Sequence, residues 1–259
     1  MKPTFSIFVA ATCCLDRAPR RQPQASTLML PHLSCQFSPT DTLSQSDRGA
    51  GTGKASRSCA KRRKHTMTKL KRAYTTLFWC GETANTDNKE ITNIESYWCN
   101  DWVSWFGGVD HPQNRRGFHP AEFTPKENPF YFALPYGEFN DNGTLKNDAK
   151  GVPWFQEGLV GGSLLKNRWI KVRHKERVVY AQWEDVGPFG EADFDYVFGC
   201  ASVPKNRINN NAGLDLSPAC WIALELNDND FTEWCFVEAD AVPAGPWSEI
   251  VTTSGVDWK

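Results

Sequence analysis

Two aspartates in the carboxy-terminal half of this sequence have neighbours that favour different protonation states. Asp185 stands in WEDVGPF, where a β-rich run meets a Gly-Pro turn, between Trp183 and Phe189. Apolar neighbours desolvate a carboxyl and favour its protonated form. Asp215 stands in LDLSPAC, two residues before the helix N-cap candidate Ser217, where the helix dipole favours the ionised form. Two carboxyls in such opposed environments can divide the work of acid and base.

Glycosidic bond cleavage is one reaction that needs this division. If the two side chains face one cleft, Asp185 is predicted to protonate the leaving oxygen, while Asp215 acts as the base or stabilises an oxocarbenium-like charge. A structural interpretation stays open beside this one. Asp is common at turns and helix starts, so Asp185 could simply begin a turn and Asp215 simply support a helix.

The first 76 residues differ from the rest of the chain in charge and composition. They contain 14 Lys and Arg against 3 Asp and Glu, whereas residues 77–259 contain 15 against 27 and hold all 11 tryptophans. A polar segment poor in apolar residues cannot offset the entropy lost on ordering. We therefore predict a disordered basic tail over residues 1–73 and a single β domain over residues 74–259.

The start of the chain allows two interpretations of where the protein is located in the cell. The stretch MKPTFSIFVAATCC has a positive residue and a short apolar run, as in a secretory signal, and this favours the cell envelope or secretion. Alternatively, translation that begins at Met67, in MTKLKRAYTTLFW, would give a cytoplasmic protein. No run reaches 18 apolar residues, so no transmembrane segment is predicted.

Short β-rich runs bounded by Gly, Pro, Asn or Asp dominate the chain from residue 74. They are YTTLFW, PFYFALPY, NRWIKVRH, ERVVYAQWED and TEWCFVEA. This pattern predicts a mainly β protein. One short helix is predicted at about 218–225, because Ser217 can cap it and Pro218 suits its first position. Segments 83–128 and 190–213 are predicted as long loops, which in a compact domain are usually functional or packed against it.

Several function classes lack their motifs in this sequence. There is no P-loop, no G-x-G-x-x-G, no H-E-x-x-H and no G-x-S-x-G. The acidic, Trp-rich region after residue 76 is poorly suited to bind phosphates, so we expect no nucleic acid partner. Five cysteines follow residue 76 and none has C-x-x-C spacing, so neither a complete disulfide framework nor a zinc site is signalled. We expect no cofactor and no metal.

Four stretches occur in the order seen in double-psi β-barrel domains. They are ALPYGEF, GSLLKNRWIKV, WEDVGPF and LDLSPAC. Over residues 130 to about 238, the chain resembles rare lipoprotein A-like domains and, more distantly, expansins, barwin and the family 45 glycoside hydrolases. The resemblance implies a closed six-stranded double-psi barrel with its core at about 130–238 and a polysaccharide groove across one face.

The resemblance also implies a set of site residues. In lytic members of the family an aspartate of the D-L-S element lies in the groove, and it corresponds to Asp215. Tyr136 and Asp185 match positions that line the groove. A Trp or Phe beside Asp185, here Trp183 or Phe189, is then expected to stack on a sugar ring.

Two features depart from the family pattern. Val186 stands where the D-R-G-P turn has Arg, which removes a cation that could brace the carboxylates or bind an anionic glycan. Residues 190–213 separate the G-P-F turn from the D-L-S element, where the family has only a few residues. This insertion could cover, reshape or replace the groove.

Two functions follow from the sequence. The first is a cell-envelope protein that binds or cleaves polysaccharide, in the manner of a lytic transglycosylase or glycosidase. The alternative is a non-catalytic interaction or structural protein that uses the barrel as a scaffold. An open groove that exposes both acids would favour the first, and burial of either acid by residues 190–213 would favour the second.

Overall fold

The computed structural model describes residues 69–85, 88, 91–159 and 162–253. The signal-like start, Met67 and most of the predicted tail lie outside the described residues. The last residues of that predicted tail are an exception, because a strand already begins at Lys71.

Eight strands within the described residues form a six-stranded closed barrel and a separate two-stranded ribbon. In chain order they are β1 (Lys71–Leu77), β2 (Arg115–Arg116), β3 (His119–Pro120), β4 (Tyr131–Leu134), β5 (Trp169–His174), β6 (Arg177–Val186), β7 (Ala212–Leu216) and β8 (Asp230–Val237). β2 and β3 form the ribbon, and the other six pair around the barrel in the order β1-β7-β4-β6-β5-β8.

The barrel mixes parallel and antiparallel neighbours. β1 is parallel to β7, and β4 is parallel to β6, while the other four pairs are antiparallel. Each barrel strand has a partner on both sides, so the barrel has no open edge. The predicted six-stranded closed β-barrel is confirmed, and its mixed pairing is compatible with a double-psi barrel.

The barrel begins earlier in the chain than the predicted core of about 130–238. β1 pairs with both β7 and β8, so the paired strands of the barrel extend from Lys71 to Val237. Five of the six strands coincide with the β-rich runs of the sequence. β7 was missed because its sequence, AGLDL, is short and contains Gly and Asp, which strands disfavour.

In the part of the chain that the structure describes, three short helices accompany the strands, together with three turns of 3₁₀-helix. The helices are α1 (Trp102–Phe106), α2 (Phe194–Phe198) and α3 (Pro218–Ala223). The 3₁₀ turns are Asn147–Gly151, Ala239–Ala241 and Pro246–Ser248. α3 is the predicted helix, whereas α1 and α2 lie in the segments predicted as loops. Five residues are too few to show a helical period in a sequence.

β4 separates two apolar clusters because its side chains alternate between its faces. Phe132 and Leu134 belong to the barrel core, whereas Tyr131 and Ala133 pack on the other side with Trp102. The segment between β1 and β4 therefore contributes a packed layer on the outer wall of the barrel.

Ser217 connects α3 to the chain around β4 through three buried hydrogen bonds. Its Oγ accepts from the N–H groups of Cys220 at 3.3 Å and Tyr131 at 3.2 Å, and donates to the carbonyl of Pro129 at 2.7 Å. The predicted N-cap is thus confirmed. It also joins the helix to the barrel.

Replacement of this cap should destabilise the protein. We expect Ser217→Ala to lower the free energy of unfolding by about 2–3 kcal/mol, because it removes a cap and leaves buried polar groups unpaired. Urea denaturation measures the change. Thr144→Ala, at an exposed loop position, is the control and should change stability by less than about 0.5 kcal/mol. Equal effects of the two substitutions would contradict the prediction.

Candidate functional site

A cavity of about 350 Å³ lies beside the ends of β1 and β6. Residues 76–79 line it from the end of β1, and residues 185–189 line it from the end of β6 and the turn that follows. Asp215 of β7 and Ala133 of β4 line it from between these two strands.

Strand pairing brings the two predicted acids to one row across the sheet. Ala133 of β4 is the partner of Asp215 on one side and of Asp185 on the other. Adjacent strands lie about 4.8 Å apart, so the α-carbons of the two aspartates are about 10 Å apart. Thr76 of β1 continues the row as the second partner of Asp215.

Asp215 is directed away from the barrel core by the alternation of β7. Leu214 and Leu216 on either side of it are buried in the core, so Asp215 projects from the opposite face. The hydroxyl of Thr76 donates a hydrogen bond to its Oδ1. Burial raises the pKa of Asp215 to about 8, against the opposing effect of the Thr76 bond, and the nearby carboxyls of Glu82 and Asp185 add to the rise. Asp215 therefore holds a proton at neutral pH.

This environment corrects the predicted protonation of Asp215. The sequence placed it near the start of a helix and predicted the ionised form. In the structure, Ser217 caps the first turn of α3, and desolvation dominates at Asp215. Asp215, the residue predicted to be the base, thus has a raised pKa.

Asp185 lies at the other side of the row and is more enclosed. Only 7% of its surface is exposed, and its Oδ1 accepts a hydrogen bond from the backbone N–H of Tyr97 at 2.7 Å. Tyr97 belongs to the layer between β1 and β4. The 190–213 insertion instead reaches the cavity through Asn209, while Asp215 stays partly exposed.

A third acid, Glu82, also lines the cavity. Its Oε2 accepts a hydrogen bond from the amide of Asn93 at 2.7 Å, and its Oε1 accepts one from the amide of Asn88 at 3.0 Å. Burial raises the pKa of Glu82, and the two amide bonds oppose that rise. Sequence reasoning missed Glu82 because it lies next to a segment predicted as a loop. The spaced asparagines that follow it, Asn85, Asn88 and Asn93, were the available signal.

Aromatic and amide side chains complete the wall. Trp79 and Phe189 are half-buried and line the cavity. Three further asparagines contribute amides, namely Asn85, Asn209 and Asn229. Amides both donate and accept hydrogen bonds, and aromatic faces bind apolar surfaces, so the wall suits a ligand that carries hydroxyl groups on an apolar ring.

The structure brings together three of the five predicted site residues and places two elsewhere. Phe189 lines the cavity with Asp185 and Asp215. Trp183 is fully buried in the barrel core, with its ring 5.5 Å from that of Phe132. Tyr136 is also fully buried, and its hydroxyl donates to Asp148 at 2.8 Å. The expected sugar contacts of Trp183 and Tyr136 do not fit this cavity, because neither side chain lines it.

Metal sites, membrane-spanning helices and cysteines are considered next, for the described part of the chain. There, no group of three or more His, Cys, Asp and Glu side chains could hold a metal ion. No helix of the same residues has the length and apolar character to cross a bilayer. Five cysteines of this part are free, namely Cys80, Cys99, Cys200, Cys220 and Cys235.

No protein-family model matches this chain, and no curated protein shows significant sequence similarity to it. The features that bear on function are therefore the barrel, the motifs ALPYGEF, WEDVGPF and LDLSPAC, and the chemistry of the cavity.

Proposed function

We propose that this protein binds and cleaves a polysaccharide of the cell envelope, through a double-psi barrel of the rare lipoprotein A-like type. One observation carries the proposal. The cavity combines Asp215, a carboxyl that holds a proton at neutral pH, with a second carboxyl, Asp185, on the same row of the sheet.

The two aspartates then act as acid and base. Asp215 gives its proton to the glycosidic oxygen as the bond from that oxygen to the anomeric carbon breaks. Asp185 stabilises the positive charge that develops on the sugar and accepts the proton of the attacking hydroxyl, from water or from the sugar itself. The carboxyls of glycosidases lie about 5–9.5 Å apart, which two side chains facing one cavity from α-carbons about 10 Å apart can reach.

The aromatic wall supplies the binding surface in this proposal. We expect Trp79→Ala to weaken the affinity for polysaccharide by about three- to tenfold, because an aromatic contact contributes about 0.5–1.5 kcal/mol beyond its buried area. Sedimentation with insoluble polysaccharide measures the bound fraction. Trp154→Ala is the control, since Trp154 is partly exposed but does not line the cavity. An unchanged affinity in Trp79→Ala would exclude this wall as the binding surface.

The direct test of the proposal is a binding and product assay. The full chain is incubated with insoluble peptidoglycan and with cellulose, and soluble fragments are measured for the wild type and Asp185→Asn. Asp141→Asn, at an exposed position outside the cavity, is the matched control. Fragments that are released by the wild type and the control but lost in Asp185→Asn support the proposal. Absence of both binding and release would refute it.

A non-catalytic interaction or structural protein is the second candidate. The enclosure of Asp185 favours it, because a carboxyl with 7% exposure has little room to meet a substrate. In the same assay this candidate gives no soluble fragments from any variant.

A further inference from the structure

The outer face of β1 continues beyond the cavity. Ala73 lies in the barrel core, and the hydroxyls of Thr75 and Thr232 share a buried hydrogen bond at 2.8 Å. Because side chains alternate along a strand, Tyr74 and Thr76 project from the opposite, outer face. Thr76 lines the cavity. Tyr74 therefore lies on the same face as Thr76, about 7 Å further along the strand.

β8 brings a second aromatic ring to this face. Tyr74 and Phe231 are directly opposite each other in the antiparallel pair of β1 and β8, and their rings meet edge to face with centroids 5.2 Å apart. Asn229, two residues before Phe231, lines the cavity. Tyr74 and Phe231, called the aromatic platform below, therefore adjoin the cavity on both chain segments.

The ring of Phe231 is open to solvent. Phe231 is 43% exposed, whereas Thr232 and Trp234 in the same strand are buried. The guanidinium of Arg72 lies over this ring, 3.8 Å from its centroid, and carries five N–H donors. An exposed aromatic ring beside hydrogen-bond donors suits a sugar, which presents an apolar ring face and hydroxyl groups at its edge.

We infer that the aromatic platform is a second sugar-binding subsite, which holds further units of the polysaccharide chain that occupies the cavity. This inference rests on the proposed function. Continuity with the cavity supports it, because Thr76 and Asn229 at the cavity each lie two residues from a member of the platform. One extended sugar chain can therefore contact both places. The platform is only two rings wide and carries a cation, so it is less suited to a broad apolar partner.

A second subsite makes affinity depend on the length of the sugar chain. A disaccharide is expected to bind in the cavity alone, whereas a hexasaccharide reaches the platform as well. Once one part of a chain is bound, the next contact is intramolecular and adds to the affinity. We therefore expect the wild type to bind a hexasaccharide at least tenfold more tightly than the matching disaccharide.

Calorimetric titration of the full chain tests this dependence. The ligands are cello-oligosaccharides and N-acetylglucosamine oligomers, each of two and of six units. Phe231→Ala should lower the affinity for the hexasaccharide about three- to tenfold, the loss expected for one aromatic contact, and leave the disaccharide unchanged. Trp79→Ala should weaken both lengths, because Trp79 lines the cavity. Val251→Ala, at a 44% exposed position outside the cavity, should bind both lengths as the wild type does.

Two further variants separate a sugar contact from a structural role. Phe231→Tyr keeps the ring and should retain the wild-type preference for the hexasaccharide. Arg72→Ala removes donors beside the ring and should weaken the hexasaccharide alone, by about two- to tenfold. Arg72 is exposed, so this variant keeps the test informative if Phe231→Ala does not fold.

The outcomes separate this inference from the proposed function. Equal affinity of the wild type for two and six units would overturn the second subsite and leave the cavity as the binding site. A length preference that persists in folded Phe231→Ala would overturn the assignment to the platform. If no soluble oligomer binds, the fraction bound to insoluble polysaccharide decides, since a loss in Phe231→Ala supports the platform and no change overturns it. Absence of all binding and of fragment release would refute the proposed function, and this inference with it.

Discussion

Asp215→Asn is expected to reduce the release of soluble fragments from polysaccharide by about 10²- to 10⁴-fold, the range over which general acids contribute to catalysis. Asn has nearly the shape of the protonated carboxyl but has no acidic proton to give to the leaving oxygen. Initial rates of fragment release measure the effect. Binding to the insoluble polysaccharide should be retained, since the substitution preserves size and hydrogen-bonding capacity.

The pKa of Asp215 predicts how both activity and stability change with pH. The pKa of Asp215 is raised from 3.8 to about 8, so the acid is protonated below about pH 8 and wild-type activity should fall above it. A raised pKa means that folding favours the neutral form, and the corresponding stability is lost as the pH rises from about 4 towards 8. Asp215→Asn should lack this loss of stability. Asp141→Asn should retain the wild-type activity and pH profile. Full activity in Asp215→Asn would remove Asp215 from the mechanism.

Lys166→Met is expected to have the largest effect on stability. Lys166 lies 2.8 Å from Glu184 and 3.7 Å from Glu127, and each of the three side chains is at most 5% exposed. Lys166 pairs with both carboxylates, and removal of one partner of a buried ion pair costs about 3–5 kcal/mol. Chemical denaturation at pH 8 measures the loss.

Two controls connect that loss to buried charge. Arg173→Met breaks an exposed pair with Glu233, and it should cost less than about 1 kcal/mol. Burial raises the pKa of Glu184 to about 7, with Lys166 opposing the rise, so in Lys166→Met the loss should be smaller at pH 5, where Glu184 takes up a proton. Adding Glu184→Gln to Lys166→Met should recover part of the stability. A loss equal to that of Arg173→Met would contradict this account.

The strands and the helix that carry strong local signals could be predicted from the sequence. The runs around Phe132, Ile170 and Val179 have β-branched and aromatic residues bounded by turn residues, and Ser217 with Pro218 marks a helix start. β7 carries no such signal, because AGLDL becomes a strand only through pairing with β1 and β4. Its strand conformation is therefore a product of tertiary pairing.

The residues of the candidate site could also be predicted only in part from the sequence. The types and local settings of Asp185, Asp215 and Phe189 identified them as candidates, and the structure places all three at one cavity. Trp183 had an equally suitable local setting, yet it lies in the core. Alternation along β6 places Trp183 in the core with Val179 and Ala181, and a register shift after Trp183 lets Asp185 face the cavity instead. Such a shift depends on pairing with β4 and is not visible in a short motif.

By itself, the sequence determined the mainly β class, the positions of most strands, the cap of α3 and two of the acids. Those properties depend on residues close together in the chain. Only the tertiary structure decided that β1 closes the barrel, that Glu82 joins the two aspartates at the cavity, and that burial raises the pKa of Asp215. The physical reason is that barrel closure and desolvation depend on atoms that distant parts of the chain bring together.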